Sequence, residues 1–264
     1  MGKIIAVAIS KGGVGKTTTA LNLAFAFAIK HKRTLLLDVD PSGACSSSLG
    51  FQPSVIKGDI FNVIGFTKSI NQVIHKTDNS YLDIIPLNPL NYKDEERLSK
   101  LTTNKHLLNN IIRPESFFYD YILIDCPPVL SGTTTAALIA ADSVLMPIRA
   151  DKFSLQAVKR MMDHILNIKR TANSKLSIEG ILFTAYETNV KVTYKVKKEL
   201  ILKYPNYLLR TNIPKNVDIT EANFQLKPVM EYNPSAKSSI AYLALAKEII
   251  ENSSFHNIEV HSES

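Results

Sequence analysis

A glycine-rich segment near the amino terminus carries the residues best suited to chemistry. Positions 10–19 read SKGGVGKTTT, after an apolar run of strand length and before a segment of helical spacing. Gly12, Gly13 and Gly15 allow backbone angles that a β-carbon forbids, so successive N–H groups can point inward around an anion. Lys16 can reach the β- and γ-phosphates of a nucleotide, and the Thr17 hydroxyl can hold Mg²⁺. The segment predicts a phosphate-binding loop at the start of a helix.

This loop departs from the common GxxxxGK[ST] pattern at one position and adds a second lysine. Ser10 stands where the pattern has its first glycine, and Lys11 follows it. Lys16 already supplies a cation to a phosphate bound by the same chain. One use for Lys11 is therefore to reach a phosphate held by another subunit. The alternative interpretation is a solvated loop charge.

Three carboxylates follow apolar runs further along the chain. Asp38 and Asp40 lie in LLLDVDPSG, and Asp125 lies in YDYILIDCPP. Because ligands of an open parallel sheet bind beyond the carboxyl ends of its strands, we expect these side chains to converge on the loop. Asp125 then suits a Mg²⁺ site, and Asp40 can orient or deprotonate an attacking water. The alternative for each carboxylate alone is a cap at a strand end.

Strand-like and helix-like segments alternate along the chain, which predicts βα units. Strands are predicted over 4–9, 34–37, 81–86, 121–125, 144–148, 178–185 and 208–213. Helices are predicted over 17–30, 95–112, 134–141, 155–170, 190–204 and 235–250. The fold class is α/β, a mostly parallel twisted sheet with helices on both faces. We expect one domain over residues 1–252 and a polar, disordered tail over 253–264.

Composition narrows the class of protein and points to a polyanionic partner. The 264 residues are 45% hydrophobic and 21% charged, which excludes disordered and collagen-like chains. Two cysteines make no disulfide framework, and no apolar run approaches the length of a membrane span. The net charge is +7, and residues 151–230 alone carry 14 basic and 7 acidic side chains. A basic second half favours nucleic acid or an anionic membrane surface as partner.

The sequence resembles the ParA/MinD group of deviant Walker-A ATPases, which share a P-loop NTPase fold. The resemblance rests on KGGVGKTT, LLLDVDPSG and YILIDCPP, and it covers roughly residues 3–250. Within the group the chain is most similar to ParA/Soj partition ATPases of the small type, which lacks an N-terminal helix-turn-helix. That similarity is carried by YLDIIP at 81–86, IPKNVDITE at 213–221, KPV at 227–229 and YNPS at 232–235.

The resemblance implies an ATPase that uses ATP or ADP and Mg²⁺ and has weak intrinsic activity. ATP drives a sandwich homodimer in which each Lys11 reaches the partner's nucleotide, and Asp40 positions the hydrolytic water. Thr17 and Asp125 hold Mg²⁺, and Lys11, Lys16 and Asp40 form the catalytic set. The implied nucleotide contacts are Lys11, Gly12, Gly13, Val14, Gly15, Lys16, Thr17, Thr18 (at the α-phosphate), Asp40, and Pro214 and Asn216 (at the adenine).

The resemblance further implies a platform, a partner and a location. The ATP-bound dimer binds DNA without sequence preference, and a ParB-like protein stimulates hydrolysis and releases it. A plasmid or chromosome is moved in this way, and the protein is cytoplasmic and associated with the nucleoid.

Two departures from the family pattern concern the switch and the DNA surface. Ser42-Gly43-Ala44 replaces the usual Gln-Gly-Asn. Glu187 and Asp218 stand where relatives often present DNA-contacting arginines.

A substitute DNA surface is predicted on the 190–204 helix. Its lysines Lys191, Lys195 and Lys198 share one face at spacings of four and three residues. Such a row can follow a DNA backbone, although a solvated helix face is the alternative.

Other functions remain open at this point. A MinD-like switch would position a protein cargo on a membrane or protein surface without binding DNA. The polar C-terminal segment lacks the basic and apolar faces of a membrane anchor. A cluster-carrying relative would need paired cysteines, and an inactive interaction protein would not need Lys16, Thr17, Asp40 and Asp125. Arg149, which follows a predicted strand, either faces the nucleotide or is an ordinary surface charge.

Overall fold

The computed structural model describes residues 1–130 and 132–262, which form a seven-stranded sheet with helices on both faces. The strand order is β3-β4-β2-β5-β1-β6-β7, and every pair is parallel except β3 with β4. The strands are β1 (Lys3–Val7), β2 (Thr34–Asp38), β3 (His75–Lys76), β4 (Leu82–Ile85), β5 (Tyr121–Asp125), β6 (Ser143–Arg149) and β7 (Ser177–Thr184). The predicted fold class is confirmed.

Helices cover both faces of this sheet. They are α1 (Lys16–Ile29), α2 (Ala44–Ser47), α3 (Ile60–Ile64), α4 (Tyr92–Leu101), α5 (Leu107–Ile112), α6 (Gly132–Ala140), α7 (Ser154–Thr171), α8 (Lys191–Lys203), α9 (Val217–Phe224), α10 (Val229–Tyr232) and α11 (Lys237–Ser262). Short 3-10 turns span Ile70–Gln72, Arg113–Phe117 and Pro205–Tyr207. Within the described residues, none of the helices has both the length and the apolar character needed to cross a membrane.

The central strands are apolar throughout because both of their faces are buried. Ile4 and Ala6 of β1 belong to the core under α3–α8. Ile5 and Val7 belong to the core under α1, α2 and α9–α11. Alternate side chains of a strand point to opposite faces, so a strand buried on both faces has no polar alternation. The carboxyl end of β1, and the loop that follows it, therefore lie near the centre of the sheet, among the carboxyl ends of the parallel strands.

The predicted strand over 208–213 is wrong. This segment makes one parallel bridge, Leu208 to Ile181, and no ladder. The physical reason is a side chain on α11: the Glu248 carboxylate accepts the N–H groups of Arg210 at 2.8 Å and Thr211 at 2.9 Å. Of the two, the Thr211 N–H is the one that would continue the ladder after Leu209, and Ile213 donates to the Phe183 carbonyl instead, at 2.8 Å.

Other elements also differ from the prediction, including the short helices α2, α3, α9 and α10, which are not predicted. The helix predicted over 95–112 is two helices, which are separated by the segment TTNKH at 102–106. Thr and Asn have low helix propensity, and the Thr102 and Thr103 hydroxyls bond to the carbonyls of Leu98 and Lys100. The two-residue strand β3 was not predicted, since it is too short to carry a periodicity signal.

Helix α11 continues to Ser262, where a disordered tail over 253–264 is predicted. No Gly or Pro interrupts 237–262, and extending an existing helix is much less costly than starting one. The last two residues of that tail lie outside the described residues.

Gly180 of β7 permits a close approach that a larger residue would prevent. A β-carbon there would lie 2.5 Å from Leu209 Cγ. We expect Gly180→Ala to lower the free energy of unfolding by about 1–3 kcal/mol through overpacking. In a Leu209→Ala background the same change should cost much less, because the opposing side chain is gone. Urea unfolding of the four variants measures this coupling, and an equal cost in both backgrounds would contradict it.

Candidate nucleotide site

The glycine-rich loop joins β1 to α1 and forms an open cradle. Gly13 and Gly15 have φ values of +69° and +81°, in the left-handed region that favours glycine. Gly15 is the N-cap of α1 and provides no side-chain cap, so the first N–H groups of α1 have no capping side chain. A β-carbon at Gly12 or Gly13 would meet no atom within 4 Å. The loop therefore leaves open space beside the uncapped start of a helix, as an anion site requires.

A threonine from β7 fixes the floor of this loop. The Thr184 hydroxyl donates to the Val14 carbonyl at 2.7 Å, and Thr184 side-chain atoms lie 3.7–3.8 Å from where a Gly15 β-carbon would be. Sequence reasoning missed this residue, because nothing local marks a strand-end threonine as the support of a loop 170 residues earlier.

Lys16 is buried at the start of α1. Its ammonium donates to the Lys11 carbonyl at 2.9 Å, a contact that bends the loop over the lysine. Burial lowers the pKa of Lys16, and the nearby carboxylates of Asp125 and Asp40 oppose that shift. The Lys16 ammonium is therefore held against the glycine-rich loop, near Asp125 and Asp40.

Asp125 ends β5 directly opposite the end of β2, since Asp38 and Asp125 are register partners. Asp125 is fully buried, and among the described residues neither of its carboxylate oxygens has a hydrogen-bond partner of standard geometry. Burial raises the pKa of Asp125, Asp38 adds to the rise, and the nearby Thr17 hydroxyl and Lys16 oppose it. A buried carboxylate with free oxygens beside a hydroxyl is the donor set that Mg²⁺ takes. The predicted metal residues Thr17 and Asp125 are therefore brought together, and they fit the ion.

Asp38 is held by three donors that the sequence does not reveal. It accepts the Ser46 N–H at 2.9 Å, the Ser46 hydroxyl at 2.7 Å and the Asp40 N–H at 3.1 Å. Burial raises the pKa of Asp38 to about 7 despite these bonds. Asp40 is more accessible than Asp38, and among the described residues its carboxylate accepts only the Ser42 N–H, at 3.0 Å. It lies near Lys16, where a polar group can act on a reacting water.

A cavity of about 240 Å³ extends from the loop toward α9. The predicted contacts Pro214, Asn216 and Thr18 line it together, and so does Arg149. Asn216 also begins α9, with its side-chain oxygen accepting the Asp218 N–H at 2.8 Å. Apolar surface at this end comes from Ile213, Ile219 and Tyr242. The cavity therefore joins a phosphate cradle to a flat, partly apolar pocket of the kind that suits a nucleobase.

Lys11 does not point to the phosphate cradle of its own chain. Its ammonium forms an ion pair with Asp151, which lies between β6 and α7. The partner was not anticipated, because 140 positions separate the two residues.

The predicted DNA-facing lysines lie in the open on α8. Lys191, Lys195 and Lys198 are exposed and form no ion pair or hydrogen bond within the part of the chain that the structure describes. The buried side of α8 consists of Thr193, Val196 and Leu200.

Two acidic residues that the sequence analysis singled out form contacts within the chain. Glu187 pairs with Lys215 at 3.3 Å, and Asp218 accepts from the Asn233 amide at 2.8 Å.

The raised pKa of Asp38 predicts that the stability of the fold depends on pH. Between its ordinary value of 3.8 and about 7, the folded state holds a proton that the unfolded state has released, so rising pH destabilises the fold. Without nucleotide or Mg²⁺, we expect wild type to lose stability relative to Asp38→Asn by up to about 1.4 kcal/mol per pH unit in this interval. Urea unfolding at several pH values measures it. A pH-independent difference between the two proteins would contradict the prediction.

Comparisons with known proteins agree with this geometry. A family model described as an AAA domain matches residues 2–178. The chromosome partitioning protein ParA of Myxococcus xanthus is 35% identical over 250 residues, covering 95% of this chain and 88% of that protein. The sporulation initiation inhibitor protein Soj of Bacillus subtilis is 33% identical over 252 residues, covering 96% and 100%.

Solved structures with the same fold include nucleotide-bound proteins. Cobyrinic acid a,c-diamide synthase from Mycobacterium smegmatis, with bound ADP and magnesium, superposes with a TM-score of 0.80 at 25% identity, covering 94% of this chain and 93% of that one. The cell division ATPase MinD of Pyrococcus furiosus has a TM-score of 0.79 at 22% identity, covering 95% and 99%. The chain belongs to the ParA/Soj family of partitioning ATPases, within the ParA/MinD group, and is an ATPase whose cofactors are ATP or ADP and Mg²⁺.

Proposed function

We propose that this chain is a DNA-partitioning ATPase that dimerises on ATP, binds DNA without sequence preference and is released by a stimulating partner. The observation that carries the proposal is a row of lysines on α8, unpaired within the described residues and connected to the nucleotide cavity through the end of β7. The relatives named above include a chromosome partitioning protein, which supports the same conclusion.

The nucleotide site supplies the switch. Gly12, Gly13, Val14 and Gly15 surround the phosphates with backbone N–H groups. Lys16 places its cation on the β- and γ-phosphates, and Thr18 lies at the α-phosphate end of the cavity. Mg²⁺, when bound, neutralises phosphate charge during hydrolysis. Thr17 and Asp125 would hold it, and the free oxygens of Asp125 are the reason.

Asp40 and Lys11 complete the catalytic set in this proposal. Asp40 has one oxygen engaged by the Ser42 N–H and is the accessible carboxylate beside Lys16, so it orients the attacking water. Lys11 exchanges Asp151 for the partner's nucleotide when two chains meet across their loops. A second cation on the phosphates stabilises the charge that develops in the transition state.

The DNA surface is coupled to the cavity through the end of β7. Thr184 and Ala185 line the cavity, and Ala185 has a φ of +45°, which is uncommon for a residue with a side chain. Tyr186 follows, and its N–H donates to the Ile213 carbonyl at 2.9 Å while its ring lies 5.3 Å from the Lys197 ammonium of α8. A structural change in the cavity would therefore act on the backbone at Ala185, whose φ is unfavourable for a residue with a side chain. This segment continues directly into α8.

The proposed lysines fit a polyanion better than a specific base sequence. Lys191, Lys195 and Lys198 present three ammonium groups along one helix face. Ammonium groups on flexible stems bind backbone phosphates as point charges and carry little sequence information. A protein that holds DNA in this way is associated with the nucleoid in the cytoplasm.

A ParB-like activator completes the cycle by stimulating slow hydrolysis. The cargo is a plasmid or a chromosome. The alternative is a MinD-like switch that positions a protein cargo without DNA, and the fold shared with MinD is compatible with both. DNA binding therefore decides between them.

Two substitutions separate nucleotide binding from hydrolysis. Lys16→Ala should abolish ATP binding, because it removes the buried cation from the phosphate end. Asp40→Ala should leave ATP binding and ATP-driven dimerisation intact but lower turnover by about 10²- to 10⁴-fold, the usual contribution of a positioned base. Titration with a fluorescent ATP analogue, light scattering and phosphate release measure these properties. Unchanged ATP affinity in Lys16→Ala, or normal turnover in Asp40→Ala, would contradict the assigned roles.

A charge reversal on α8 tests the DNA surface. With Asp40→Ala and ATP to block hydrolysis, Lys191→Glu, Lys195→Glu and Lys198→Glu together should weaken binding to duplexes of any sequence alike. The slope of log affinity against log salt should become shallower by about 0.9 for each DNA phosphate that the variant no longer neutralises.

The matched control reverses three exposed lysines elsewhere: Lys93 and Lys100 on α4, and Lys105 just after it. This variant changes net charge equally and should retain most of the affinity. Undiminished DNA binding in the α8 variant, or an equal loss in the control, would place the DNA surface elsewhere.

A further inference from the structure

Arg149 is the last residue of β6, and it is one of the residues that line the nucleotide cavity. It shares that lining with Gly13, Gly15 and Thr18, which mark the phosphate end. The position follows from the sheet, because β6 lies beside β1 and its carboxyl end therefore meets the loop that leaves β1. Arg149 is also the register partner of Thr184, which holds the Val14 carbonyl of the loop.

The guanidinium of Arg149 has no partner among the described residues. The residue is exposed, and its side chain forms no hydrogen bond or ion pair there. Other basic side chains around the site are engaged: Lys11 pairs with Asp151, Lys16 bonds to the Lys11 carbonyl, and Lys215 pairs with Glu187. Arg149 therefore places a cation at the rim of the cavity, and this cation makes no hydrogen bond or ion pair with the described residues.

The backbone of Arg149 is held in place even though its side chain is free. The Arg149 carbonyl accepts the Ser154 hydroxyl, and the same hydroxyl contacts the Asp151 carboxylate at 3.1 Å. Asp151 in turn pairs with Lys11 of the loop. The strand end and the glycine-rich loop are thus tied together, which fixes where the guanidinium can reach.

We propose that Arg149 is a further nucleotide-binding residue, whose guanidinium binds a phosphate group of the nucleotide beside the glycine-rich loop. A planar guanidinium presents paired donors that match phosphate oxygens, and it keeps its charge at any physiological pH. The base end of the cavity offers Ile213, Pro214 and Ile219 instead, which suit a ring and not a cation. The proposal concerns the nucleotide site alone and does not depend on DNA binding.

The test is a series of affinities that differ in phosphate content. Competition against a fluorescent ADP analogue, with Mg²⁺, gives the affinities of wild type and Arg149→Gln for ATP, ADP and adenosine. We expect Arg149→Gln to bind ATP and ADP about tenfold more weakly, the usual scale for a charge-assisted hydrogen bond. Its affinity for adenosine should be unchanged. Arg149→Lys should retain part of the ADP affinity, because it keeps the charge but not the paired donors.

A neighbouring cation provides the control. Lys152 is exposed, lies three positions along the chain with its ammonium 4.7 Å from the Phe153 ring centroid, and is absent from the cavity lining. Lys152→Gln removes the same charge and should leave ADP affinity unchanged. The unfolding free energy of nucleotide-free Arg149→Gln should match wild type, since the side chain has no partner among the described residues.

Three results would overturn the proposal: unchanged ADP affinity in Arg149→Gln, an equal loss for adenosine, or an equal loss in Lys152→Gln. None of these measurements contains DNA, so a failure here leaves the partitioning proposal untouched. A failure of DNA binding likewise leaves these affinities interpretable.

Discussion

A buried carboxylate without a partner is the constraint on which the site depends. Asp125 ends the central strand β5, fully out of solvent, and within the described residues neither oxygen has a hydrogen bond of standard geometry. An isolated buried anion is costly unless it is protonated or paired. Burial raises the pKa of Asp125, the shift expected of a carboxylate that no cation pairs. Mg²⁺ held by Asp125 and Thr17 would offset this cost, so that metal binding and the charge of Asp125 would be coupled.

The parallel sheet explains why this carboxylate lies beside a phosphate cradle. Asp38 and Asp125 are register partners, and Val7 of β1 pairs with Asp125 on its other side. The strand that leads into the glycine-rich loop therefore ends next to the carboxylate. Lys16 partly offsets the charge of Asp125. Burial lowers the pKa of Lys16 and raises the pKa of Asp125, and the charge of each residue opposes the shift in the other. The same sheet edge carries Arg149 and Thr184, so the nucleotide would contact several neighbouring strand ends.

The sequence predicts the parts of the site whose conformation depends on neighbouring residues. It does not predict the parts that depend on contacts with residues far along the chain. The glycine-rich loop follows from glycine conformation and strand-to-helix context, and the convergence of Asp38 and Asp125 follows from parallel strand ends. Ser46, Thr184 and Asp151 are not predicted as supports, because a single polar residue carries no periodic signal of the distant group that it contacts. The strand predicted over 208–213 fails for the same reason: a side-chain oxygen from a helix nearly forty residues later takes the Thr211 N–H that would continue the ladder.

Nucleotide occupancy controls the DNA-binding surface in our proposal, through the cavity residues that lead into α8. This coupling is tested most directly by titrating the full chain, carrying Asp40→Ala, with non-specific duplex DNA across a salt series. The titration is done with ATP and Mg²⁺, with ADP and Mg²⁺, and without nucleotide. We predict tight, steeply salt-dependent binding with ATP and much weaker binding in the other two states. Equal binding in all three states, or none with ATP although dimers form, would contradict the coupling.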